Sequence, residues 1–92
     1  MNLSDCRQAI DDIDDQLLEI LNQRARLAIK IAQEKFDHRI AVAASSREEE
    51  IYKRLCGRNK GPLQEQHVRE IFAAIFSTSK KLQHLYQSFQ DV

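Results

Sequence analysis

The residues Leu3, Cys6, Ile10, Ile13, Leu17, Ile20, Leu27 and Ile31 advance by alternating threes and fours, with only Arg24 interrupting the apolar series. That spacing predicts one uninterrupted α-helix. A second stripe, Leu18, Leu21, Ala25, Ala28, Ala32 and Lys35, runs beside the first and makes the apolar face wider than a two-stranded seam. With Ser4 as N-cap and Asp5, Asp11 and Asp12 toward the positive end of the dipole, the helix is expected from about Asp5 to about Asp37. At about 1.5 Å per residue it would be roughly 45–50 Å long, longer than the diameter of a compact globule of this mass. Its own chain cannot cover such a face, so self-association enters the argument at once.

The rest of the chain also reads as helix. Two glycines and one proline in 92 residues leave few turns, and Leu, Ile, Ala, Gln, Glu, Lys and Arg dominate. A short helix is expected after Ser45-Ser46, where Ser45 and Glu48 have capping-box spacing and Ile51, Tyr52 and Leu55 form the inward face. Gly57 and then Gly61-Pro62 are expected to end it. A third helix should run from about Leu63 to Phe89, with Val68, Phe72, Ile75, Ser79, Leu82, Tyr86 and Phe89 in heptad steps that Ser79 breaks. The segment from Asp37 to Ala44 is the one substantial loop expected. The fold class is all-α, and residues 1–92 read as a single domain.

Charge and composition exclude several functions. Fourteen Lys+Arg balance fourteen Asp+Glu, with a sequence pI near 6.8, so the bulk electrostatic drive for nucleic acid or acidic membrane is missing. No apolar run approaches the ~18 residues of a membrane span, and Met1-Asn2-Leu3-Ser4-Asp5 lacks the regions of a secretory signal. Cys6 and Cys56, fifty residues apart and outside any CxxC pair, read as free thiols in a reducing compartment, so a cytoplasmic location is expected. His38, His67 and His84 have no i,i+3 or i,i+4 relation to one another or to a cysteine, which argues against a metal site. The run Asp11-Asp12-Ile13-Asp14-Asp15 scatters its carboxylates around a helix and reads as a solvated face. No Gly-rich phosphate loop and no Ser/His/Asp or Cys/His arrangement stands out.

What remains is a set of polar residues on faces that should be apolar. Arg24 and Lys35 are eleven residues apart, near three full turns, and project from one side of the helix about 16 Å apart. Two long cations so placed would grip opposite ends of one small anion. Arg24 by itself is equally an arginine that snorkels outward or pairs with a helix-two glutamate, and Lys35 by itself suits the helix C-terminus. Arg7 lies about 25 Å from Arg24 and about 42 Å from Lys35 on a straight helix, so it cannot share a pocket with Lys35 of its own chain. An antiparallel second copy would bring Arg7 to that pocket and cover the overlong face. Glu48 falls on the side of Ile51 and Tyr52, where it serves either as a cap or as an inward acceptor. Ser79 and Gln83 present a hydroxyl and an amide one turn apart among Phe72, Ile75, Phe76 and Leu82.

These residues fall in an order that resembles a known family. The stretch from Cys6-Arg7 through Ile10-Asp11, Leu17-Leu18 and Arg24-Ala25-Arg26-Leu27-Ala28, followed by Lys35, Arg47-Glu48, Ser79 and Gln83, is similar to the all-helical (type II) chorismate mutases. The resemblance implies an intertwined homodimer of long, short and long helices with two equivalent sites, no cofactor, and Arg7 supplied to each site by the other chain. Arg7 and Arg24 would bind the two carboxylates of chorismate, with Arg47 and Ser79 in support. Lys35 and Gln83 would donate to the ether oxygen, and Glu48 would accept from the ring hydroxyl. Where many members carry an aspartate just before helix two, this chain has Ala43-Ala44, so Ala44 would meet the hydroxyl through its backbone amide alone.

The implied activity is the rearrangement of chorismate to prephenate in aromatic amino acid biosynthesis, the shikimate pathway. Related enzymes of this fold eliminate pyruvate from isochorismate or rearrange 4-amino-4-deoxychorismate; Glu48 favours the mutase and leaves the amino substrate open, as Ala44 does for the ring substituent. A helical dimerisation module, with Arg24, Ser79 and Gln83 setting register, is the non-enzymatic alternative. Zero net charge conceals an uneven distribution: residues 1–22 carry six acids and one base, residues 23–60 ten bases and five acids, and residues 61–92 three of each. The one base of the first segment is Arg7.

Overall fold

The computed structural model describes residues 1–37 and 45–90. Ala44 and the expected loop around it, with the side chains of Ser45 and Phe89, lie outside the described residues. The elements are α1 (Leu3–Asp37), α2 (Ser45–Arg58) and α3 (Glu65–Gln90). The order long, short, long is the one that apolar periodicity predicts.

The helix ends differ in detail from the sequence reading. Asn2, not Ser4, caps α1: the Asp5 amide donates to Asn2 Oδ1 at 2.8 Å and the Asn2 amide donates back to Asp5 Oδ2 at 3.2 Å. This reciprocal pair satisfies two amides that the first turn leaves without helical partners, and it draws the start of the helix back to Leu3. α2 continues through Gly57 to Arg58, because a glycine in the last turn weakens a helix without stopping it. The α2–α3 turn is tied by Asn59, whose Oδ1 accepts from the Gly61 amide at 3.2 Å and whose Nδ2 donates to the Leu63 carbonyl. α3 opens with the Gln64 amide donating to His67 Nδ1 at 3.0 Å, which gives that histidine a capping role.

The two apolar stripes of α1 have different fates. The second packs against α3 from Leu21 onward, with Ala28 buried and Ala32 0 % exposed, while its first member, Leu18, stays 62 % exposed. Small side chains at this contact let the two backbones approach closely. The first stripe faces outward: Leu3, Ile10, Ile13, Leu17, Ile20, Leu27 and Ile31 are each 50–65 % exposed. Each such Leu or Ile forgoes on the order of 1 kcal/mol of burial in the lone chain.

α3 also packs against α2, through Ile51, Val68 and Phe76 in the core and an edge-on contact between Tyr52 and Phe76 with centroids 5.2 Å apart. Arg69 staples the outside of this joint, pairing with Glu49 at 3.3 Å and Glu65 at 3.4 Å over the Tyr52 ring. Measuring 54 × 27 × 15 Å, the chain is elongated and flattened. Its radius of gyration is 16.4 Å, where a compact chain of this length would have about 12 Å. No helix among the described residues is long and apolar enough to cross a membrane.

Candidate active site

One pocket, of about 100 Å³, is lined by residues from all three helices: Arg24 and Lys35 of α1, Arg47, Glu48 and Ile51 of α2, and Phe76, Ser79, Lys80 and Gln83 of α3. The sequence made six of these candidates: Arg24, Lys35, Arg47, Glu48, Ser79 and Gln83. Arg7 is exposed near the far end of α1 and does not line this pocket. Ala44 is outside the described residues. Four cations face one carboxylate here, so the pocket is strongly cationic although the chain is neutral.

Packing of α1 on α3 fixes the two central side chains. Arg24 Nη1 donates to Ser79 Oγ at 2.9 Å, and the guanidinium lies over the Phe76 ring, 5.5 Å from its centroid. Arg24 therefore neither snorkels away nor pairs with an α2 glutamate. Burial first, and then the charge of Arg47, pull the Arg24 guanidinium below its ordinary value. The cation is held where it is desolvated and repelled, and an anion between Arg24 and Arg47 would relieve both penalties.

Gln83, 9 % exposed, donates from Nε2 to the Ala28 carbonyl at 2.9 Å across the α1–α3 contact. That carbonyl fixes which end of the amide is nitrogen. One N–H is used, and the second is directed by the same rotamer. Among the described residues no buried side-chain nitrogen or oxygen lacks a partner, so the polar intrusions into the core are compensated.

At the α2 side, Glu48 Oε2 meets Lys80 Nζ at 2.9 Å, while Arg47 sits at the rim, 3.6 Å from Glu50. Lys80 and Phe76 were not singled out from the sequence. The signal was present, since 76, 79, 80 and 83 stand at i, i+3, i+4 and i+7 and share one face of α3 with the two residues that were. A lysine followed by Lys81 reads as solvated, and a phenylalanine reads as core.

Beyond Arg24 and Ser79 lies a second groove, about 190 Å³, lined by Leu21, Ala25, Ala74, Ile75, Thr78 and Leu82. Its walls are mostly apolar, which suits a hydrocarbon side chain better than a charged ligand. Among the described residues no group of three or more His, Cys, Asp or Glu is arranged to hold a metal, and Cys6 and Cys56 are both free thiols.

The chain is 34% identical over 92 residues to the bifunctional chorismate mutase/prephenate dehydratase of Aquifex aeolicus (strain VF5), covering 91% of this chain and 25% of that protein. It is 38% identical over 71 residues to the enzyme of the same name from Neisseria gonorrhoeae (strain ATCC 700825 / FA 1090), covering 77% of this chain and 19% of the other. The chain thus spans a quarter or less of the length of these relatives. Among solved structures, the Helicobacter pylori chorismate mutase in complex with prephenate superposes with a TM-score of 0.88 at 30% identity, covering 94% of this chain and 93% of that one. Form II of the Thermus thermophilus chorismate mutase gives 0.88 at 27% identity, covering 89% and 93%. The family description "Chorismate mutase type II" matches residues 6–84, and with three helices converging on one cationic pocket the chain belongs to the type II chorismate mutase family.

Proposed function

We propose that this chain is a chorismate mutase that rearranges chorismate to prephenate, and the observation that carries the proposal is the convergence of Arg24, Lys35, Arg47, Glu48, Ser79 and Gln83 on one pocket. The reaction is a pericyclic [3,3] rearrangement. One C–O bond breaks as a C–C bond forms, and no proton transfer or covalent intermediate is needed. The protein has two tasks: to hold a flexible dianion in its chair-like reactive conformer, and to favour the charge that grows on the ether oxygen.

Arg24, oriented by Ser79 and stacked on Phe76, binds one carboxylate, with Arg47 reinforcing it from the rim. The ammonium of Lys35 and the second N–H of Gln83 serve the ether oxygen, and Glu48 accepts from the ring hydroxyl. Donors of this kind, aimed where charge develops, typically supply several kcal/mol at the transition state.

The second carboxylate falls to Arg7 of another copy in a homodimer. What supports this is the flattened shape, the outward apolar stripe of α1 and the apolar groove beside Arg24. The outward stripe of α1 has nothing packed over it within the chain, and an antiparallel copy of α1 would cover it. Residues 1–92 act as one domain in this arrangement, and the free thiols suit the cytoplasm.

The deciding experiment incubates the purified protein with chorismate and, separately, with isochorismate, and identifies the products. Prephenate from chorismate is expected. Salicylate from isochorismate without prephenate would replace the mutase with the lyase, and no turnover of either together with no affinity for a bicyclic transition-state analogue would leave a dimerisation module.

A further inference from the structure

Lys80 is the one cation of the pocket that the proposed chemistry leaves without a task. It stands on the same face of α3 as Ser79 and Gln83, and its ammonium meets Glu48 Oε2 at 2.9 Å. The two side chains are 40 % and 26 % exposed, so the pair is set into the wall of the pocket and partly shielded from water. With Oε2 engaged, Glu48 is left to meet a substrate through Oε1.

A lone carboxylate at this place would act in two ways. It would repel a dianion, and it would attract any positively charged ring substituent. Paired with Lys80, it becomes a dipole of no net charge that still accepts a hydrogen bond. A hydroxyl donates to that dipole without penalty. An ammonium gains no ion pair there and faces Lys80 together with Arg47 and Arg24. The 4-amino analogue of chorismate carries an alkylamine at this ring position, and such amines are protonated near neutral pH.

We propose that Lys80 is a specificity-determining residue: by holding Glu48 in an ion pair it restricts the ring-substituent end of the pocket to a neutral hydroxyl and excludes a cationic amine. The selection works by an unfavourable charge facing the wrong substrate as much as by a favourable contact with the right one. It rests on the chorismate mutase reading above and adds which member of that substrate class the pocket admits.

The test compares kcat/KM for chorismate and for 4-amino-4-deoxychorismate in the wild-type protein, Lys80→Met and Lys80→Arg, with circular dichroism to verify the fold. Wild type is expected to prefer chorismate. Lys80→Met should lower kcat/KM for chorismate about tenfold and raise it for the amine, so that the preference shrinks by about ten- to a hundredfold. Lys80→Arg, which keeps the charge, should retain the wild-type preference within about threefold. A merely structural lysine would reduce both substrates in proportion, and an unchanged ratio in folded Lys80→Met overturns the inference while leaving the mutase reading in place. A wild-type preference for the amine also overturns it. Wild type inactive on both substrates removes the mutase reading and this inference with it.

Discussion

Arg24 combines three conditions: partial burial, a cationic neighbour in Arg47, and an aromatic ring beneath it. Its pKa is lowered, by burial first and by Arg47 second, so the cation costs stability; that cost is fully present below the folded pKa, fades as pH rises through it, and is gone above the ordinary arginine value. Replacing Arg24 by Met should therefore leave the melting temperature unchanged or slightly raised, while kcat/KM for chorismate falls by roughly a thousandfold. Thermal melts and steady-state kinetics on one preparation check both halves, and a large loss of stability would contradict the account. Lys35→Ala should lower turnover by about two to three orders of magnitude with an unchanged circular dichroism spectrum; near-normal activity there would remove the electrostatic role assigned to Lys35.

At this scale the sequence was informative wherever a polar residue broke an apolar pattern. Arg24 and Ser79 each interrupt an apolar series and Gln83 stands among apolar neighbours one turn from Ser79, and the structure ties all three across the α1–α3 contact. Arg7 and Arg47 break no pattern, since they look like surface residues and are exposed; only the family resemblance marks them. Lys80 was missed for the same reason from the opposite direction, because a half-exposed lysine looks ordinary until its partner is known.

Between elements, the decisive contact is the close approach of α1 and α3 at Ala28 and Ala32. It brings the Ala28 carbonyl within reach of Gln83 and Arg24 within reach of Ser79. A larger residue would force the helices apart. Ala32→Leu is expected to destabilise the fold by about 1–3 kcal/mol, measured by urea unfolding, and to lower activity by misplacing Gln83. Equal stability to wild type would mean that the contact has room to spare. Helix number and order followed from periodicity, whereas the first cap did not. Asn2 and Ser4 are both acceptable cap residues, and what selects Asn2 is an acid three positions later that can return the hydrogen bond. Which α1 stripe packs inside the chain is decided by the size of the alanines, a property that hydrophobic periodicity alone does not weigh.

For the whole molecule, the flattened shape and outward stripe make the proposed homodimer testable in two ways. Leu17→Asp, at the centre of the stripe, should shift sedimentation from dimer to monomer and abolish activity, because Arg7 is no longer delivered. Mixing is more specific. Arg7→Ala and Lys35→Ala homodimers should each be nearly inactive, yet refolding them together should restore about a quarter of wild-type activity, since half of the dimers are mixed and each mixed dimer has one intact site. No recovery on mixing would show that Arg7 and Lys35 do not meet across an interface. The length of α1 was legible from the sequence and implied a partner surface; the path of the second chain was not, because it depends on contacts between copies.

The uninterrupted helix from Leu3 to Asp37 also behaves as a ruler with an angular scale. One residue inserted between Ile10 and Arg24 would turn everything beyond it by about 100° and carry Arg24 away from Ser79, or Arg7 away from its station, while the helix itself remained intact. Seven residues would nearly restore the phase yet displace the two ends by about 10 Å. In the proposed homodimer, length changes in α1 therefore disturb both phase and distance, whereas length changes in the segments joining the helices or at the termini leave both intact.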